Sequence, residues 1–490
     1  MELQTDIIDK CLGRQHLDAY MDMRKKAMDD RSVDPENLDE IHVSTREWIV
    51  SSGFETTVDY TKYDKESIKL KMLGLVDYLR LNHPADITES EAIATELFIE
   101  SAFGMYEDVM AGETLDEHRD CSFAFLVPGR LGKSEEQRIY GQESEMIIPV
   151  LRYIPNELRA MFIVGVPPFV LDTYKSDDTG RRGYLICGLV TPANMFIEMP
   201  FDEALNQSQK NIDDAVNFST GLGAESIGLG AVLPALTYYG QTITNKEVIT
   251  TTGHGGTIVL IEKMIAAAVE RGVVADESIK NIGVIGLGSI GASIAHLVAE
   301  NHPDANVTIY DERIEKIERT KTDLGRIGIG VDVAESIQEL FSKTEVIISA
   351  ITSKVDLEKE MVDSLEGKFI IDDSQPGCFD KKQVEKLGGY VAWVVGTDSQ
   401  KMIARDQWGY GTFIDERNDL FGCEIEAATL YEERKKLREK GLSDIEIEDE
   451  SRKIAIKGPV TPKITKKWEA IFGERILPAK FQIFGEYIDE

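Results

Sequence analysis

The chain has 490 residues, 42% of them hydrophobic, and 87 acidic against 54 basic side chains, for a formal net charge of -33. That length accommodates two or three domains with cores of their own, and so negative a surface repels phosphate backbones and anionic headgroups, which excludes nucleic acid and membrane surfaces as first partners. No run approaches the roughly 18 apolar residues of a membrane span, the start "MELQTDIIDKCLGRQ" lacks a basic-then-apolar leader, and five cysteines without CxxC pairs beside seven scattered histidines suit a reduced, cytoplasmic protein without a metal centre.

Taken in chain order, residues 1–115 read as a helical N-terminal unit. "HLDAYMDMRKKAMDD", "KESIKLKMLGLVDYLRLNHP" and "ESEAIATELFIESAFGMYEDVMAG" space their apolar residues by three and four. From "SFAFLVPGR" at 122–130 short apolar runs punctuated by glycine and proline begin an α/β substrate domain, residues 116–275. It includes "MFIVGV", "YLICGLV", a helix around 201–218 and "EVITTTGHGGTIVLIEKMIAAAVERGV", a loop feeding a long helix. Residues 276–400 alternate strand and helix: "NIGVIGLGSIGASIAHLVAENHPDANVTIYDERIEKI", then strands at 345–352, 368–374 and 390–396. This is the signature of a Rossmann-type doubly wound parallel sheet. Residues 401–490 form a C-terminal helical segment that carries Cys423 and returns to the substrate domain.

The spacing GxGxxG falls on Gly286, Gly288 and Gly291, between an apolar strand and a helix. The first glycine permits the tight turn, the second lets backbone N–H groups approach a pyrophosphate, and the third lets the helix lie close to the sheet. Ser289 and Ile290 supply amides at the helix start. Asp311, 20 positions after Gly291, can accept the adenosine ribose hydroxyls and disfavours a 2′-phosphate, while Arg313 can engage one, so NAD is preferred over NADP. "SAITS" at 349–353, with Ala350, Ile351 and Thr352, leaves the fourth strand where ligands gather and flanks the nicotinamide.

Three segments compete to act on a substrate. "TTTGHGGT" offers Thr251, Thr252 and His254 for binding or polarising a carbonyl, unless its glycines only make the turn and His254 faces solvent. "IIDDSQPG" closes a strand on Asp372 and Asp373, which suit acid–base work or a merely acidic loop. Cys423 in "LFGCEIEAATL" sits at a helix start, where amides and the helix dipole lower a thiol pKa, although Glu424 and Glu426 oppose that shift.

On these residues the chain resembles the long-chain acyl-[acyl-carrier-protein] reductases, over about 120–440. "GYLICGLVTPANMF" is similar to the family's glycine-tyrosine strand and leucine-proline-methionine turn, "GAESIGLGAVLPAL" to the glycine-rich stretch that follows, "TTTGHGGTIVLIEKMIAAAVERG" to its threonine-threonine-glycine motif, the glycine motif at 286–291 with "IIDDSQPG" to its nucleotide turn and its strand and proline turn, and "LFGCEIEAATLYEE" to its nucleophilic cysteine segment. The resemblance implies NAD(P)H-dependent reduction of a fatty acyl thioester, on an acyl-carrier protein or coenzyme A, to a fatty aldehyde. Cys423 would carry the acyl group, with the hydroxyls of Thr251 and Thr252 or the N–H groups of 421–424 facing the oxyanion. Other readings stay open: a thiol-independent dehydrogenase of a small amino or hydroxy acid, a glutamyl-tRNA-reductase-like enzyme that the charge disfavours, and a nucleotide-sensing interaction protein. Homo-oligomerisation is open as well.

Overall fold

The computed structural model describes residues 14–30, 38–53, 65–112, 120–128, 145, 147–163, 165–176, 180–188, 199–374, 377–405, 418–455, 462–483 and 486–488. The chain divides into two compact units, residues 1–173 with 182–249, and residues 174–181 with 250–490.

The first unit opens with helices α1 (Arg14–Asp29), α2 (Leu38–Ser51), α3 (Lys65–Asn82) and α4 (Glu89–Ala111), where the apolar spacing predicts helix. α4 starts on a reciprocal cap, Thr88 accepting the Glu91 N–H while the Glu91 carboxylate takes the Thr88 N–H, and stops at Gly112, φ +71°. Glu91 is fully buried because Arg152 Nη1 (3.1 Å) and the Tyr153 hydroxyl (2.7 Å) satisfy its oxygens. Next come β1 (Cys121–Pro128), α5 (Asn156–Ile163), β2 (Phe169–Ser176), β3 (Arg182–Gly188), α6 (Phe201–Gly221), β4 (Ser226–Leu229) and β5 (Ile249–Thr251). β1 pairs in parallel with both β3 and β4. Of the stretches quoted above, residues 1–13, 129–130, 164, 189–196 and 375–376 lie outside the described residues.

The second unit contains α7 (His254–Glu270), β6 (Asn281–Ile285), α8 (Ser289–Asn301), β7 (Asn306–Tyr310), α9 (Ile314–Arg326), β8 (Asp332–Val333), α10 (Ile337–Lys343), β9 (Val346–Ser349), β10 (Phe369–Asp372), α11 (Lys381–Lys386) and β11 (Tyr390–Trp393). These strands form one sheet in the order β11-β10-β9-β6-β7-β8, every pair parallel. The fold class is therefore α/β with a doubly wound parallel sheet, as the alternation predicts. Its order reverses between β6 and β9, where such sheets bind ligands beyond the carboxyl ends of the strands.

One expected element is shorter than the sequence suggests. The apolar run 390–396 does not continue as one strand: Val395 N–H turns back to the Trp393 carbonyl (2.9 Å), and a second sheet begins. The chain goes on through β12 (Gly396–Asp398), β13 (Met402–Ala404), β14 (Asp419–Leu420), α12 (Gly422–Glu439), α13 (Asp444–Ile454), α14 (Pro462–Phe472) and β15 (Ile476–Pro478). β12 lies between β14 and β15, antiparallel to both, and β13 pairs antiparallel with Tyr174–Ser176 at the end of β2. The core under the parallel sheet joins Ile285, Ile347, Ile370, Val391 and Trp393 with Phe421, the residue from which α12 starts. No helix among the described residues is long and apolar enough to cross a membrane.

Candidate active site

The glycine turn is built for close approach. Gly286 has φ +85°, and a Cβ there would lie 2.5 Å from Ile351 Cγ2 and 2.6 Å from the Ala350 carbonyl oxygen. A side chain at Gly291 would overlap the Gly286 carbonyl, so α8 rests directly on the turn. Gly288 leads into α8 with no side chain capping the helix. No side chain therefore competes for the first-turn N–H groups at Ser289 and Ile290, the setting in which a helix N-terminus can take a phosphate. Ala350 and Ile351 wall this turn through Ala350 N–H to the Ile285 carbonyl (2.9 Å). Thr352 is exposed beyond them, and Ser349 is buried with a hydroxyl that has no partner.

Asp311 does more than wait for a ribose. Its Oδ2 accepts the Leu287 N–H (2.7 Å), inside the glycine turn, and its Oδ1 accepts the Arg313 N–H (2.9 Å). Lys316 Nζ lies 3.4 Å away and Arg313 Nε 3.6 Å. Burial acts to raise its pKa, yet the two N–H donors and the Lys316 ammonium prevail and hold its carboxyl below the usual range. The turn's conformation is therefore coupled to the charge of Asp311.

The "TTTGHGGT" loop and the Cys423 helix meet backbone to backbone. A Cβ on Gly422 would lie 2.5 Å from the Gly256 carbonyl carbon and oxygen and 2.8 Å from Thr257 N, and one on Gly256 would overlap the Gly422 carbonyl. Gly255 is likewise pressed against the buried ring of Trp468. These glycines therefore serve helix crossing as well as the turn at Gly253, φ +73°. Glu426 seals the crossing: it accepts from the Thr251 hydroxyl and from Gly256 N–H (2.7 Å) while almost fully buried. Glu424 accepts the Tyr174 hydroxyl (2.6 Å) and Phe421 N–H (2.9 Å). Thr252 is buried, and its hydroxyl has no partner.

Cys423 is the second residue of α12, partly exposed, and packs, as Ile351 does, against the core that includes Phe421 and Trp393. The helix-start argument for a low thiol pKa is overruled here. Burial, then the charges of Glu424, Asp373 and Glu426, push the thiol well above its ordinary value. Asp372 acts as a brace, taking N–H groups from Ser374 (3.1 Å), Cys378 (2.6 Å) and Phe379 (3.4 Å), and burial carries it up to about 6. Asp373, whose N–H is tied to the Ser349 carbonyl (3.0 Å), is raised well above a normal carboxyl by burial and then by Asp372.

His254 stands 3.4 Å from the Ser289 hydroxyl through Nδ1, which links the loop to the nucleotide turn. Burial lowers it to about 4, so the imidazole is neutral near pH 7. A histidine kept neutral by folding contributes stability that is intact above its unfolded value and lost as pH falls from there through about 4. We expect the melting temperature of the wild type to fall over that window more steeply than that of His254→Gln; equal slopes would rule the effect out.

The second unit thus gathers Cys423, Thr251, Thr252 and His254 on one crossing of helices beside the turn at Gly286, Gly288 and Gly291. The sequence does not announce the buried roles of Glu426, Glu424 and Tyr174, nor the pairing of Lys316 with Asp311. An acidic residue recurring on the apolar stretch "CEIEAATL" was the available signal for the first two. Among the described residues no group of three histidines, cysteines or carboxylates could hold a metal ion.

A parallel sheet in this order, with a glycine turn feeding an uncapped helix at the switch point, defines a Rossmann-type NAD(P)-binding domain. Residues 281–376, about a fifth of the chain, match the family model described as NADP oxidoreductase, coenzyme F420-dependent, so the parallel-sheet domain is similar to the coenzyme-binding part of that family. No curated protein matches the chain. Among solved structures, the chain is similar to an imine reductase from Pseudomonas sp. at 19% identity, over 23% of this chain and 41% of that one, with a TM-score of 0.19. A dipicolinate synthase chain from Bacillus halodurans aligns at 18% identity, over 37% of this chain and 60% of that one, with a TM-score of 0.25. A reductive aminase from Aspergillus terreus, in complex with NADPH and ethyl-5-oxohexanoate, aligns at 14% identity, over 23% and 40% of the two chains, with a TM-score of 0.18. The chain spans less than two thirds of each of these proteins.

Proposed function

We propose that the protein reduces a fatty acyl thioester, presented on an acyl-carrier protein or coenzyme A, to a fatty aldehyde by way of a thioester on Cys423. The observation that carries this reading is the crossing of α7 and α12 at Gly256 and Gly422, which sets Cys423 beside a hydroxyl-rich loop and the core of the nucleotide fold. Cys423 Sγ attacks the acyl carbonyl, its proton passes to Asp373, and the carrier leaves as a thiol after recovering that proton. A carboxyl whose proton affinity is raised by burial suits this exchange. NAD(P)H held at the turn of Gly286, Gly288 and Gly291 would supply the hydride to the acyl carbon, and Cys423 would then leave as the thiolate to free the aldehyde. Covalent capture divides one hard substitution into two easier ones.

The loop's threonines divide the labour. Thr251 is held by Glu426, whereas the Thr252 hydroxyl is buried without a partner and is the donor assigned to the acyl oxygen. Removing one such donor costs about 10²- to 10³-fold in rate. Thr252→Val is expected to slow acylation of Cys423 by about that factor with NAD(P)H affinity unchanged, as measured by rapid-quench mass spectrometry. Acylation by the wild type should also rise with pH across the range in which the buried Asp373 gives up its own proton, because only its carboxylate can take the thiol proton. A rate independent of pH would contradict that.

For the coenzyme, Asp311 supports NAD, with Lys316 and Arg313 beside it as counterweight. Thermal stabilisation by NADH greater than by NADPH is the expected result, and the reverse order overturns the preference. The protonated state of Cys423 favours one second reading, a thiol-independent dehydrogenase of a small amino or hydroxy acid in which Asp373 or His254 moves the proton. Full activity in Cys423→Ser would select it.

A further inference from the structure

We propose that Glu426 is the positioning residue of this reaction, clamping the 251–256 loop to the helix that carries Cys423 so that loop and thiol form one body. The inference rests on the reading of Cys423 as the acyl-accepting thiol. Glu426 follows Cys423 by three residues, so both lie on one face of α12. One carboxylate oxygen takes the Thr251 hydroxyl and the other takes Gly256 N–H at 2.7 Å. The nearby N–H groups of Gly255 and Gly253 favour the charged carboxylate, while burial raises its pKa. The carboxylate thereby caps the N-terminus of α7, which has no cap from its own chain segment.

Two features make this more than packing. At the crossing itself Gly256 and Gly422 bring backbone against backbone, so any slip of the loop is transmitted to Cys423 rather than absorbed by a side chain. An acid buried this deeply is also an expensive way to join two helices, because its desolvation must be met by donors that an apolar pair would not need. The donors it uses are those of the loop that carries Thr252. The charged and titratable groups acting on Cys423 are Glu424 and Glu426 from α12 and Asp373 from the loop after β10.

The test uses the full chain and the isosteric variant Glu426→Gln. The amide retains one acceptor for Thr251 but turns a donor toward Gly256 N–H, so the clamp opens with little change in volume. Three readouts are expected: faster hydrogen exchange in peptides spanning 253–257, a lower pH midpoint for alkylation of Cys423 by iodoacetamide, and slower transfer of the acyl group from palmitoyl-CoA to Cys423. A displacement of about 1 Å costs about 10²-fold in rate, so transfer at saturating donor should fall by about that factor with the donor KM nearly unchanged. Unchanged exchange overturns the clamp. Faster exchange with wild-type acyl transfer reduces Glu426 to a fold element and overturns the positioning role. If the wild type takes no acyl group while the variant still exchanges faster, the reading of Cys423 fails, and the positioning role of Glu426 fails with it.

Discussion

Cys423→Ser is expected to bind NAD(P)H as the wild type does, to form no covalent acyl adduct, and to lose aldehyde formation to the limit of detection. The serine hydroxyl is a far poorer nucleophile and leaving group than a thiol, and nothing in the site compensates. Its neighbours act in the opposite sense, since Glu424, Glu426 and Asp373 all resist a negative charge at this position. A thiol ionises against them with difficulty and a hydroxyl not at all near neutral pH. The fold should be indifferent to the change, because Cys423 is only partly buried and its helix is anchored by Phe421, Glu424 and Glu426. Circular dichroism and coenzyme titration give the control, and intact mass gives the result.

Gly256→Ala is expected to be the most damaging single-atom addition outside the nucleotide turn. The new methyl group would overlap the Gly422 carbonyl, and backbone cannot swing aside as a side chain can. Either the two helices part or the loop shifts, and both break the hydrogen bond from Gly256 N–H to Glu426. Overpacking of this kind costs about 1–3 kcal/mol, and a buried acceptor that loses its donor costs about as much again. Thermal denaturation should register that loss, and acyl transfer should fall by about 10²-fold or more. Gly53→Ala serves as the comparison. It lies at φ +73° with open space around it, so it tests backbone strain without a clash.

The parts of the molecule that depend on local pattern were readable in the sequence. The strand, glycine turn and helix at 281–301 follow from an apolar run, three glycines at fixed spacing and an amphipathic segment, and each cause acts within a few residues. The start of α12 at Gly422 was readable for the same reason. What escaped depends on pairs far apart in the chain. Glu426 meets Thr251 across 175 positions and Glu424 meets Tyr174 across 250, so two glutamates that the sequence offers only as unfavourable charges are, once folded, satisfied acceptors that hold the site together. Asp311 has the same character. Its spacing from the glycines announces a ribose partner, but nothing local announces the bond to Leu287 N–H. The run 390–396 misleads because apolar texture alone does not mark where Gly396 leaves one sheet for another, between β14 and β15.

The most direct measurement omits the nicotinamide. The wild-type chain is incubated with a long-chain acyl-CoA or acyl-carrier thioester, its intact mass is recorded, and the modified peptide is sequenced. One acyl group is expected to add to the chain, located on Cys423 and discharged as aldehyde when NAD(P)H is supplied. An unmodified chain that nevertheless produces aldehyde, or an acyl group found on another residue, would contradict it.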